Sequence, residues 1–356
     1  MKLFYRWTTT LPILGAILYL SGFSNSTTLF QVLAGVLLIS SVLSAVHHSE
    51  IIAHRVGEPY GTIILAVAIT IIEVSVIVSL MISGGDQAIS LARDTVYAAT
   101  MIILNGIVGL SLFMGGLKHH EQTFSKHSTT IALVSLVSII MFTLILPTFT
   151  KTISGPYYSS SQLVFASMAC LLIYASFLFA QTVRHREYFL VQKSSTEELV
   201  IPKVSNRALG ISISFLLLSL GVVVLLAKSL SPTIEAIVLS YSLPKTLVGV
   251  IIAAIILLPE GIAAIIAAKN NKLQTSLNLA LGSALASIGL TIPAVSVVCY
   301  MYDMNIILGL DYLSMALLML SVLTVMLSLH SGRSNVVYGT VLLVNLIAFL
   351  YLIVYP

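Results

Sequence analysis

The sequence predicts an all-α polytopic membrane protein. Of its 356 residues, 58% are apolar and only 8% charged, and the mean hydropathy is +1.05. Apolar runs of about 20 residues recur along the chain, the length a helix needs to cross ~30 Å of hydrocarbon. An ordinary soluble domain carries about 25% charged residues. In lipid, only helices and closed barrels satisfy their backbone hydrogen bonds. A barrel would alternate apolar and polar residues over ~10-residue strands, and this chain shows unbroken apolar runs instead.

About eleven transmembrane helices are expected, over 11–23, 29–48, 60–83, 95–117, 128–150, 162–183, 207–230, 247–268, 274–300, 305–329 and 335–354. Lys2 and Arg6 ahead of the first segment also suit the basic start of a signal peptide. No small-x-small cleavage site follows in Ser21-Gly22-Phe23-Ser24, so the segment reads as a retained helix. With loops numbered alternately, 13 of the 17 basic residues fall on one side; Arg93, Lys151, Lys228 and Lys245 fall on the other. The positive-inside rule then sets the N-terminus in the cytoplasm and the C-terminus outside, in a cell (inner or plasma) membrane. The net charge of +4 is spread over loops, with no basic stretch dense enough for nucleic acid. Cys170 and Cys299 both lie within apolar runs, which disfavours a disulfide or a cysteine-rich metal site.

The longest polar loop, 184–206, holds Arg184, Arg186, Glu187, Lys193, Glu197, Glu198 and Lys203. It divides the chain into an extra N-terminal helix (1–28), a first five-helix repeat (29–183), a cytoplasmic linker (184–206) and a second five-helix repeat (207–356). An odd number of helices per repeat makes the second copy enter the membrane from the opposite side, the inverted design of many secondary transporters. No Walker-type loop is present, which disfavours an ATP-driven pump.

Glu73, in the third segment, and Glu260, in the eighth, lie near mid-membrane. An ionised carboxylate there costs ~2.5–3.5 kcal/mol even on insertion-based scales. Neither has a Lys or Arg at matching depth. Each occupies the second helix of its half, so the inverted topology brings both toward a pseudo-two-fold axis, where carriers hold substrate. Pro259 beside Glu260 removes a backbone donor and frees a carbonyl. Thr62, Ala66, Thr70 and Glu73 follow helical spacing, as do Ser283 and Ser287, while Thr100 and Asn105 are their counterparts on the fourth segment. Thr70, Thr100, Asn105, Ser283 and Ser287 are either ligands or helix–helix hydrogen-bonding groups.

Two carboxylates with hydroxyl, amide and carbonyl oxygens form a hard-oxygen set that suits a divalent ion, calcium above magnesium. Without a cation, desolvation and mutual repulsion favour protonation. Competition of metal and protons for the same oxygens is a physical basis for antiport. All eight histidines fall on the expected cytoplasmic side. With Glu50 and Glu58, His47, His48 and His54 form a candidate group for regulation by pH. The alternative is that they simply mark the membrane interface.

Several stretches resemble the calcium/proton antiporters of the cation/calcium exchanger superfamily, of the ChaA, CAX-like type. In the first half they are His54-Arg55-Val56-Gly57-Glu58-Pro59-Tyr60-Gly61-Thr62, Ile72-Glu73-Val74-Ser75, Arg93-Asp94-Thr95 and Phe113-Met114-Gly115-Gly116. In the second they are Pro259-Glu260-Gly261, Asn278-Leu279, Gly282-Ser283 and Gly332-Arg333-Ser334-Asn335-Val336. The resemblance implies a sodium/calcium-exchanger-like fold with two inverted five-helix repeats. It also implies a shared calcium/proton site at Glu73 and Glu260, no tightly bound cofactor, and transported Ca2+, Na+ or K+ exchanged for H+. The chain departs from the Gly-Asn-x-x-Glu pattern common around each glutamate, and it has Ala286 where a Gln is frequent. A sodium or potassium/proton antiporter using the same glutamates is the alternative, and a gated cation channel is a further one. The nucleophile or metal constellation of an intramembrane enzyme is missing. The expected partners are the lipid bilayer and the transported ions; association as a homo-oligomer stays open.

Overall fold

The computed structural model describes residues 4–56, 60–84, 89–189, 205–302, 304 and 306–355. Long helices account for most of them: α1 Phe4–Leu20, α2 Thr28–Val56, α3 Tyr60–Gly84, α4 Leu91–His119, α5 Lys126–Phe149 and α6 Ser160–Arg184 in the first half, then α7 Asn206–Ser240, α8 Thr246–Lys269, α9 Leu273–Met301, α10 Tyr312–Leu329 and α11 Val336–Val354. Among the described residues, nine helices are long and apolar enough to cross a membrane, and the apolar helices Trp7–Leu20 and Val67–Ile82 are shorter. The protein is therefore an all-α polytopic membrane protein. Exposed leucines, valines and isoleucines along the helices suit a lipid-facing surface.

Several boundaries differ from the sequence reading. The expected 305–329 segment turns helical only at Tyr312, because Asp311 caps the helix by accepting from Leu313 N–H and Ser314 N–H, each at 3.1 Å. The chain before it lies against α5, with Leu310 N–H donating to Leu144 O at 2.9 Å and Thr148 Oγ1 to Leu310 O at 2.9 Å. The expected 207–230 segment continues to Ser240, through Pro232. Proline deprives one carbonyl of its donor without ending this helix. Three π-helical stretches went unforeseen: Ile102–Ile107 in α4, Met141–Ile145 in α5 and Ala180–Arg184 in α6. Of the polar loop, Arg184, Arg186 and Glu187 are described, while Lys193, Glu197, Glu198 and Lys203 lie outside the described residues, as does Glu58.

The helices cluster into two compact units, each drawing on both halves of the chain: Met1–Ala88 with Ser194–Val248, and Ile89–Lys193 with Gly249–Pro356. In unit 1, α2 packs on α1, α3 and α7. A seam of hydroxyls joins three of these helices. Ser44 Oγ donates to Thr8 O at 2.6 Å and lies 3.0 Å from Ser219 Oγ.

Unit 2 is organised on α9, which packs against α4, α5 and α6, and on α11, which packs against α4 and α10. Close helix approach in lipid favours small residues. A Cβ at Gly339 of α11 would lie 2.7 Å from Phe113 Cα of α4, and one at Gly289 of α9 would lie 3.1 Å from Tyr174 Cβ of α6. At one end of this unit, polar groups knit the loops. Gln122 Nε2 donates to Ala268 O at 2.9 Å, Ser334 N–H donates to Gln122 O at 2.8 Å, and Arg333 meets Glu121 at 3.1 Å. Cys170 and Cys299 are buried free thiols.

Candidate functional site

Glu260 sits one residue after Pro259 inside α8. The proline leaves the Ile255 carbonyl without its usual helical donor. From α9, Ser283 Oγ donates to Glu260 Oε1 at 2.8 Å, and Glu260 Oε2 is buried. A carboxyl in contact with a hydroxyl can exchange that hydrogen bond for a metal ion, since the hydroxyl oxygen also accepts.

Two glycines fix how α8 lies on α4. A Cβ at Gly249 would come within 3.0 Å of the Asp94 backbone carbon and 3.1 Å of Thr95 N, and one at Gly261 would meet Ile107 Cδ1 at 3.4 Å. Equal steps along both helices separate the two contacts, so α4 and α8 run side by side in the same direction. At the far end, His119 Nε2 lies 2.9 Å from Lys269 O. The Gly261–Ile107 contact brings Glu260 level with the π-helical turn of α4 and with Asn105 in it.

Asn105 is wholly buried. Its Nδ2 donates to Ser321 Oγ of α10 at 2.8 Å and to Met101 O at 3.2 Å. Its Oδ1 is buried and accepts no hydrogen bond among the described residues. A buried amide oxygen without a donor is disfavoured unless something else takes its lone pairs, and a cation is one such acceptor of electron density. Thr100 is buried with its hydroxyl given to Val96 O of its own helix at 2.8 Å. Ser287, one turn after Ser283, is buried. Unit 2 therefore assembles Glu260, Ser283 and the level of Asn105.

Glu73 belongs to unit 1, where it is 3% exposed on α3 with Thr70, also buried, one turn before it. The side chains of Thr62 and Ala66, on the expected stripe with Glu73, lie outside the described residues. His48 is not at a surface. It is wholly buried in α2, stacked on Phe215 of α7 with ring centroids 5.5 Å apart and edge-on to His47 at 5.5 Å. Glu50, two residues on, is exposed, and the side chain of His54 lies outside the described residues.

Sequence reasoning missed Ser321 as the partner of Asn105, because the pairing crosses helices far apart in the chain. It also passed over Thr291, although the four-residue spacing that picks out Ser283 and Ser287 continues to it.

The sodium/calcium exchanger protein family profile matches residues 26–183 and 211–355. The chain is 39% identical over 355 residues to the putative ionic transporter y4hA of Sinorhizobium fredii, covering 98% of this chain and 96% of that protein. It is 31% identical over 346 residues to the sodium-potassium/proton antiporter ChaA of Escherichia coli, covering 95% and 93%. Its fold is similar to the crystal structure of the H+/Ca2+ exchanger CAX, with a TM-score of 0.71 at 13% identity over 97% of this chain and 89% of that one.

Proposed function

The chain belongs to the sodium/calcium exchanger protein family, and from that premise we propose that it is a secondary transporter that exchanges a cation for protons, with Glu260 and Glu73 as the groups that hold either. The contact that carries this reading is Ser283 to Glu260 beside the proline break, with the unsatisfied Asn105 oxygen level with it. Oxygen ligands of this kind hold hard cations. A carboxyl left without a metal in lipid favours its protonated form, because desolvation penalises the charge. Metal entry then expels the proton, and each carboxyl crosses the cycle carrying one or the other.

Calcium is the cation the donor set favours, since two carboxylates balance its charge. The cycle would export it from the cytosol in exchange for protons, by alternating access of two inverted five-helix repeats within the cell membrane. The N-terminus would be cytoplasmic and the C-terminus outside. Sodium or potassium is the second reading. The 31% identical relative named as a sodium-potassium/proton antiporter favours it, and so does the absence of the asparagines expected around each glutamate.

Proteoliposomes with a trapped pH dye test both. Calcium added outside should move protons in the wild type and not in Glu260→Gln. A response confined to sodium or potassium selects the second reading. Proton movement unchanged in the glutamine variant would reject the assignment of Glu260.

A further inference from the structure

Serine and threonine hydroxyls inside helices normally bond back to the carbonyl one turn earlier. This chain follows the habit closely. Thr143 bonds to Ile139 O at 2.8 Å, Ser321 to Leu317 O at 2.8 Å, and Ser296 to Ile292 O at 2.7 Å. Ser276 and Ser111, both wholly buried, bond to each other at 2.8 Å. Two wholly buried threonines of unit 2 break the pattern. Thr95 Oγ1 and Thr291 Oγ1 have no hydrogen-bond partner among the described residues. Leaving a buried hydroxyl unmade costs about 1–3 kcal/mol, and both decline the nearby helical carbonyl that would remove the cost.

Their positions are not scattered. Thr95 touches α8 where Gly249 crosses it. At about 1.5 Å per residue, Gly249 lies about 16 Å along α8 from Glu260. Thr291 lies two turns beyond Ser283, about 12 Å along α9. Both displacements run toward the same end of unit 2. There Leu91 opens α4 and Met301 closes α9, and Ile307 N–H donates to Ile89 O at 3.1 Å. A cleft of about 580 Å³ opens in this unit beside them, lined by Arg93, Thr148, Lys151, Gly309 and Asp311. Arg93 is tied back to Asp94 at 2.7 Å and to Gly309 O at 3.2 Å, so its charge is locally balanced, and the other charged groups of the lining, Lys151 and Asp311, are of opposite sign.

We propose that Thr95 and Thr291 line the route by which the cation travels between this cleft and Glu260, each hydroxyl oxygen replacing a water of a partly hydrated metal ion. The route descends from the cleft past Thr95, then Thr291 and Ser287, to Ser283 and the carboxyl. The inference rests on the reading of Glu260 as the cation-holding group.

Valine is close to isosteric with threonine and lacks the hydroxyl. Because neither hydroxyl makes a hydrogen bond, Thr291→Val and Thr95→Val should not lower the melting temperature of the purified protein. Transport separates a route from packing. Proton flux is measured in right-side-out and inverted membrane vesicles, with calcium and then sodium as the added cation. The variants should raise the half-saturating cation concentration about threefold to tenfold on the face where Leu91 and Met301 lie, leaving it unchanged on the other. The maximal rate should be kept, Thr291→Ser should restore wild-type behaviour, and Ser296→Ala should match wild type throughout. Wild-type affinity on both faces in the valine variants overturns the proposal, as does an equal change on both faces, whatever the melting temperature. If Glu260→Gln abolishes exchange while the valine variants are unaltered, the route fails and the glutamate assignment stands. If Glu260→Gln exchanges normally, the failure lies in that assignment and takes the route with it.

Discussion

Ser283 reaches across from α9 to donate its hydroxyl hydrogen to Glu260 Oε1 on α8, 2.8 Å away. Ser283→Ala removes this donor and one candidate ligand oxygen but leaves the carboxyl. Cation affinity should fall about tenfold or less, the worth of one ordinary hydrogen bond of about 0.5–1.5 kcal/mol. Glu260→Gln should abolish exchange while the protein still reaches the membrane. Isotope uptake into vesicles distinguishes the two, and an alanine variant as dead as the glutamine one would make Ser283 more than an auxiliary ligand.

Glu73→Gln tests the other carboxyl. Buried at 3% exposure on an apolar helix, it is costly to ionise, so the neutral amide should not harm folding. Proton-coupled flux should be lost, with expression and melting temperature at or above wild type. Full calcium-driven and sodium-driven proton flux in this variant would remove Glu73 from the mechanism.

The approach of α11 to α4 predicts two glycine substitutions of opposite sign. A methyl at Gly339 meets the Phe113 backbone, whereas one at Gly35 of α2 meets nothing within 4 Å. Gly339→Ala should destabilise by about 3 kcal/mol or more, since backbone cannot step aside as a side chain does. Gly35→Ala should be neutral or stabilising by about 0.5–1 kcal/mol through helix propensity. Thermal unfolding in detergent reads both.

Asp311 predicts a pH dependence. Partial burial works to raise its carboxyl, but hydrogen bonds from the Ser314 hydroxyl and from the Ser314 and Leu313 N–H groups outweigh it and hold the group below the usual carboxylate range. A lowered folded pKa contributes stability above the unfolded value of about 3.9 and loses it as pH falls through the folded one. Asp311→Ala should therefore cost about 1 kcal/mol near neutral pH, the usual worth of an N-cap. The gap to wild type should close progressively below about pH 4, as followed by melting temperature across a pH series.

The helices were legible because a membrane imposes length and apolarity on each, and both can be read from one segment at a time. What lies between helices was not. Thr100 and Asn105 are alike in sequence terms, yet Thr100 bonds only to its own helix while Asn105 also reaches Ser321, 216 residues away. A helix apolar all round gives no periodicity to say which face meets which neighbour. Glu260 was found because charge is rare in lipid, and Ser283 because it shares a helix face with Ser287 four residues on. Thr291 continues the Ser283–Ser287 spacing, but what sets it apart is a hydrogen bond that its hydroxyl does not make among the described residues. His48 looked like an interface residue because its apolar segment appeared to end there, whereas α2 continues to Val56 and Phe215 covers the ring.

The π-helical turn Ile102–Ile107 carries one residue more than an α-helix would use for the same rise. It acts as a phase shifter between two faces with separate obligations. Ahead of it, Thr95 must lie against Gly249; beyond it, Gly109 must lie under Leu342 and Gly116 under Val336. Deleting a single residue from 102–107 would let ordinary α geometry run straight through with both faces kept in place, because the wide turn already absorbs the surplus residue. Drawing the same residues into ordinary α geometry without a deletion would instead turn the far half of α4 by about 100°, facing bulky side chains toward α11 where glycines now sit. The width of this turn, rather than the residue it accommodates, is thus what holds the two halves of α4 in register with different neighbours.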